Sequence, residues 1–237
     1  MNRIALRMLI LGLSLAVTLC GCSAKPNLEQ SKTTAETEQE RAIVEIEKLQ
    51  GKVIVDGTRP GKPVIEVNLV QLPLIDAGLV NLKELTQLQV LNLMCSGFSD
   101  AGLANLIGLT QLQSLNLEAT NLTDAGLDHL GALTQLQSLD LMMTKVTDAG
   151  LLHLRGLTKL RELNLADTQV TDAGLVHLKY FAQLQSLNLE ETHVTDVGLV
   201  YLKGLTQLGE LDLSDTEVTD EGVKKLQQAL PNCRIIR

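Results

Sequence analysis

From Val64 onward, apolar residues return at fixed offsets every 24 positions, in units that begin at Val64, Leu88, Leu112, Leu136, Leu160, Leu184 and Leu208. The shared pattern is Leu-x-x-Leu-x-Leu-x-x-Thr-x-Val-Thr-Asp-Ala-Gly-Leu-x-x-Leu-x-x-Leu-Thr-Gln. Within each unit the spacing changes halfway. Leu115 and Leu117 alternate with polar residues, which predicts a short strand with both leucines turned inward. Leu127, Leu130 and Leu133 follow at helical spacing and predict a helix whose apolar stripe covers that strand. One unit cannot bury the stripe alone, so neighbouring units must stack.

Polar columns run through the same register. Asp124 follows Thr123 and offers a side-chain oxygen and a negative charge at a predicted helix N-terminus. Gly78, Gly102, Gly126, Gly150, Gly174, Gly198 and Gly222 fill one column. Glycine inside a helix costs about 1 kcal/mol relative to alanine, so its recurrence predicts an approach too close for a side chain. Thr120, Thr144, Thr168, Thr192 and Thr216 form another column, whose hydroxyls are expected to satisfy buried backbone groups of the adjacent unit. This pattern resembles the leucine-rich repeat, in its cysteine-containing variety with Thr mostly in the cysteine's place. The resemblance covers residues 64–231 as seven repeats and implies an α/β solenoid, a horseshoe or arc. Its parallel sheet would line the concave face and its helices the convex face.

The flanks break the period. Thr37-Glu38-Gln39-Glu40 reads as a capping box, followed by Ala42, Ile43, Ile46 and Leu49 at helical spacing, with Gly51 as a stop. Val53 to Val55 reads as a strand, so residues 37–63 predict a helix–strand cap over the open end of the stack. Residues 232–237 predict a closing strand, entered after Pro231, with Arg234 and Arg237 shielding its edge.

Residues 1–21 carry a basic start and an apolar run from Met8 to Leu19, too short to span a bilayer and suited to a signal peptide. Leu19-Cys20-Gly21-Cys22 then resembles the bacterial lipobox, which implies acylation of Cys22. Ser23 after it implies an outer-membrane destination on the periplasmic side of the cell envelope. Residues 22–36 lack apolar periodicity and read as a tether.

Composition narrows the function classes. Hydrophobic residues make up 45% of the chain and aromatics 2%, with no Trp, as a uniform Leu-filled stack requires. A net charge of −8 without a basic run disfavours nucleic acid. No nucleophile–base set, phosphate-binding glycine loop or recognised metal-ligand spacing stands outside the repeat consensus, so no enzyme activity, cofactor or small-molecule substrate is expected. Cys95 and Cys233 lie about six repeats apart, roughly 30 Å, which predicts no disulfide between them.

The outward strand positions read Asn68, Asn92, Asn116, Asp140, Asn164, Asn188 and Asp212, a ladder that fits either a partner's backbone or plain solvation. Around it stand Met94, Glu118, Met142 and Met143, a soft apolar area, and the acids Asp167, Glu190, Glu191 and Asp215. With the ladder residues from Asn92 to Asn188, these form the candidate protein-binding face. Glu210 and Glu217 extend its acidic end. His129, His153 and His177 share one helix column with Tyr201 next, but each lies on a separate helix with no evident acidic partner, so no metal is assigned. The expectation is a non-enzymatic protein-interaction module anchored at the bacterial cell envelope. A self-assembling envelope component is one alternative, and a substrate-recognition protein of ubiquitin-ligase type, implied by repeat resemblance alone, is another. The repeats also resemble those of F-box substrate receptors of ubiquitin ligases. Residues 23–63 are too short and differently patterned for an F-box, and a signal leader removes the chain from that compartment.

Overall fold

The computed structural model describes residues 28–72 and 76–237. The leader, Cys22 and the start of the tether lie outside these residues. Nine strands form one sheet in sequence order: β1 Lys52–Val55, β2 Val64–Asn68, β3 Val90–Asn92, β4 Ser114–Asn116, β5 Ser138–Asp140, β6 Glu162–Asn164, β7 Ser186–Asn188, β8 Glu210–Asp212 and β9 Arg234–Ile236. From β2 to β9 all pairings are parallel and shift by one 24-residue unit per strand, as in Leu91↔Leu115 and Leu115↔Leu139. The seven repeat strands and the closing strand therefore stand where the periodicity puts them.

The opposite layer differs from expectation. Full helices do not form in the repeats. Single α-turns, namely α2 (Asp76–Leu79), α3 (Asp124–Leu127), α4 (Asp148–Leu151) and α5 (Asp172–Leu175), run into 3-10 segments, and two repeats are 3-10 throughout, at Asp100–Leu106 and Gly198–Gly204. A strand, two turns and the return share 24 residues, and the glycine column weakens the α-helix in its first turn. Among the repeats only α6 (Asp220–Ala229) grows to ten residues.

Leucines from both layers merge into one continuous core, and Leu115, Leu117, Leu127, Leu130 and Leu133 are all at most 1% exposed. Phe98 and Phe181 replace aliphatic side chains within it. The column hydroxyls turn to their own unit instead of the neighbour. Thr120 Oγ1 donates to the Leu117 carbonyl at 2.7 Å, and Thr144, Thr168 and Thr192 repeat the bond. Three residues past the strand, the chain curls back far enough for this short side chain to reach its own carbonyl. Ser96 alone crosses, donating to Leu69 O at 3.0 Å.

The N-terminal cap is present but longer than predicted. Helix α1 covers Leu28–Lys48, so residues 28–36, read as tether, are helical and the box at Thr37 falls inside the helix. Neither Gly nor Pro occurs between Leu28 and Lys48, and nothing there stops a helix. Ala42 and Ile46 are buried against the first repeat. The helix ends in a Schellman pair, with Gly51 N donating to Ile46 O and Gln50 N to Glu47 O. The left-handed residue is Gln50, at φ 66°. Gly51 is needed for space, since a Cβ would meet Leu69 at 2.5 Å. Strand β1 adds antiparallel to β2. Gln39 pins the turn between them, donating to Lys62 O and accepting from Val64 N.

Candidate functional site

The Asp of each unit does not cap its own helix. Thr123 does, accepting from Ala125 N at 3.3 Å. The Asp124 carboxylate reaches one rung onward and accepts from Thr147 N at 2.8 Å and Thr147 Oγ1 at 2.7 Å. The same pair of bonds joins Asp76 to Ser99, Asp100 to Thr123, Asp148 to Thr171, Asp172 to Thr195 and Asp196 to Thr219. These donors hold the Asp76 and Asp196 carboxyls below their ordinary value. They also account for the glycines. A Cβ at Gly150 would sit 2.3 Å from Asp124 Oδ1, and one at Gly174 2.4 Å from Asp148 Oδ1. The close approach predicted for the column is made chiefly by a carboxylate.

The outward ladder is half-buried and also structural. The side-chain oxygen of Asn92, Asn116, Asp140, Asn164 and Asn188 accepts from the backbone N–H two residues on, and Asn68 and Asp212 do the same. Only an oxygen is needed, which explains why Asn and Asp interchange.

Just past the ladder the chain turns through the left-handed region at Gln71, Cys95, Ala119, Met143, Asp167, Glu191 and Asp215, with φ between 50° and 57°. No glycine or asparagine marks this column, so it was invisible in the sequence. The neighbouring rungs fix it, because Met143 N donates to Ala166 O and Asp167 N to Glu190 O. Its side chains stand at the edge of the strand face. Met143 is 50% exposed, and Asp167, Glu191 and Asp215 are exposed as well. Ala119, Met143, Asp167 and Glu191 line a shallow depression of about 510 Å³. Met94, Glu118, Met142 and Glu190 lie beside it, half-buried. The predicted variable residues are thus gathered along one margin.

Carboxylates of Glu190, Glu191 and Asp215 come within 4.8 Å of one another, the only such metal-capable group among the described residues. His129, His153 and His177 do not join it. His153 Nδ1 lies 3.1 Å from Asp128 Oδ1, so this column does have an acidic neighbour, contrary to expectation. Cys95 is exposed and Cys233 buried, both free, and burial pushes the Cys233 thiol up. No helix among the described residues is long and apolar enough to cross a membrane.

Residues 132–154, 156–178, 183–203 and 206–226 match the family model described as Leucine Rich repeat. No curated protein matches the sequence. Among solved structures, internalin C2 of Listeria monocytogenes is similar at 20% identity and a TM-score of 0.54, over 76% of this chain and 86% of that one. The crystal structure of PEPR1-AtPEP1 is similar at 18% and 0.52, over 78% of this chain and 25% of that one. A leucine-rich repeat protein of Leptospira interrogans is similar at 19% and 0.49, over 66% and 45%. In fold, the chain is a leucine-rich-repeat solenoid, with a parallel strand sheet backed by short helical segments.

Proposed function

We propose that this chain is a non-enzymatic protein-binding module held at a bacterial cell envelope through acylated Cys22. One observation carries the binding half. The invariant polar columns are consumed in structural bonds, whereas the side chains that vary, including Met142, Met143, Asp167, Glu190 and Glu191, collect along one margin of the strand face. A surface that varies on a fixed frame is suited to specific recognition. Methionine beside carboxylates favours a partner with apolar and cationic groups. Leucine-rich-repeat domains typically act as protein-interaction modules. The anchor half rests on the basic start, the apolar run and Leu19-Cys20-Gly21-Cys22.

The test is co-purification from membranes of full-length wild type and of Met142→Lys/Met143→Lys, followed by mass spectrometry. The expected result is a partner recovered with wild type and lost with the variant. Equal recovery would count against the strand-margin reading. Mass analysis of the mature N-terminus, with the acyl mass absent from Cys22→Ser, tests the anchor separately.

A further inference from the structure

Charge is sorted by layer in the second half of the array. The helical-layer segments 149–161, 173–185 and 197–209 contain no Asp or Glu but hold Arg155, Lys159, Arg161, Lys179 and Lys203. The strand-side segments 162–171, 186–195 and 210–219 contain no Lys or Arg and hold eight acids. In a chain of net charge −8, three successive acid-free stretches make one cationic face. Its central cations, Arg155, Lys179 and Lys203, form no ion pair among the described residues. The column carboxylates of Asp148, Asp172 and Asp196, which precede the acid-free stretches, keep their charge but are directed to the threonines of the next rung, and Glu221 of α6 pairs with Lys225.

The same face departs from the repeat pattern in its apolar residues. Val197 stands where earlier units have Ala149 and Ala173, and Tyr201 stands where they have His153 and His177. Val197 is 70% exposed, the most exposed large apolar side chain described, and Val200, Tyr201 and Tyr180 are exposed beside it. Lys179 Nζ lies 5.2 Å from the Tyr180 ring centre.

We propose that this face docks on an anionic lipid bilayer, so that the solenoid lies along the membrane with its acidic strand face turned away. Tyrosine rings, branched aliphatic side chains and lysines with flexible stems are the side chains that settle at the headgroup level. Free cations draw them there, and the acidic remainder of the chain is repelled from the same surface. A headgroup layer also accepts protruding side chains without a matching pocket, which a protein partner would have to provide. The proposal rests on the envelope reading for the presence of a bilayer, but the vesicle experiment below does not require acylation. Failure of one is therefore distinguishable from failure of the other.

The chain has no Trp, so one introduced residue reports its own surroundings. Full-length Tyr201→Trp and, on the opposite face, Met143→Trp are titrated with vesicles of phosphatidylglycerol and phosphatidylethanolamine, or of phosphatidylcholine alone. Any contribution of the apolar leader is common to both. The expected result is a blue shift for Tyr201→Trp with anionic vesicles only, with Met143→Trp unmoved. Adding Lys179→Glu/Lys203→Glu should weaken apparent binding by about tenfold or more, with circular dichroism unchanged. No shift, equal shifts on both faces, or equal shifts with neutral lipid would overturn the proposal. So would a shift that grows with protein concentration in the absence of vesicles, which would identify a second copy as the occupant.

Discussion

Between the rungs that carry β4 and β5, contacts outside the strand ladder also cross from one unit to the next. Asp124 accepts two bonds from Thr147, Leu122 O accepts from Lys145 N at 2.9 Å, and Gly150 leaves room for the carboxylate. Toward the C-terminal end, Asp220 and Val218 stand in the corresponding places. There the guanidinium of Arg237 reaches back, donating through Nε to Val218 O and through Nη1 to Asp220. One side chain thus supplies the donors that a backbone amide and a threonine supply elsewhere. The difference teaches that these acceptors need a partner wherever the stack stops, and that side chain and backbone are interchangeable in that task. The two joints differ in burial. Thr147 and Asp124 are half-buried, whereas the Asp220 side chain is 95% exposed.

The comparison is most sharply tested at an interior glycine. Gly174→Ala is expected to destabilise the array by about 2–3 kcal/mol in urea melts, because the new Cβ overlaps Asp148. The three non-local atoms nearest that Cβ all belong to Asp148. The same change made in an Asp148→Ala background should therefore cost markedly less than in wild type. Strict additivity would break the account of the glycine column.

Removing one partner at each joint comes next. Asp148→Ala leaves Thr171 N and Oγ1 without their acceptor and should cost about 1–3 kcal/mol. Arg237→Ala, at a solvated pair, should cost no more than about 1 kcal/mol. Thermal melts that ranked Arg237→Ala above Asp148→Ala would reverse the comparison.

The smallest effect is one of pH. Thr219 and Ser99 donors lower the Asp196 and Asp76 carboxyls from an ordinary value of 3.8. A depressed native value contributes stability that is fully present above the ordinary value and lost as pH falls through the native one. Melts from neutral pH down to about pH 2 should show this loss in wild type and less of it in Asp196→Asn. Equal acid slopes would remove Asp196 from the linkage.

What could be read from the sequence followed the apolar period. Leu115 and Leu117, the 24-residue register and the closing strand needed only burial and alternation. The glycine column announced a close approach without saying what approached. Asp124 was misassigned because Thr-Asp before an apolar run is also a helix-cap signal, and a bond 23 residues along the chain leaves no local trace. The left-handed column at Cys95, Ala119, Met143 and Asp167 had no marker, since neighbouring rungs impose that backbone shape on whatever residue is present. The candidate margin was half legible. Its variable residues were found from sequence, but the reason they share an edge was not. The sorting of charge between the two layers is present in the sequence, but the net charge hides it.

The Asp–Thr–Gly joint has a consequence for how such a chain can change length. Each unit carries an acceptor for the next rung together with a hydroxyl and gap for the previous one, so the edges of any such interior unit fit those of any other. Duplicating or excising one 24-residue block between identical Asp-Ala-Gly-Leu stretches would rejoin complete edges and leave no polar group stranded. Both outer surfaces would extend or shorten by about 4.8 Å per block while the two end caps stayed as they are.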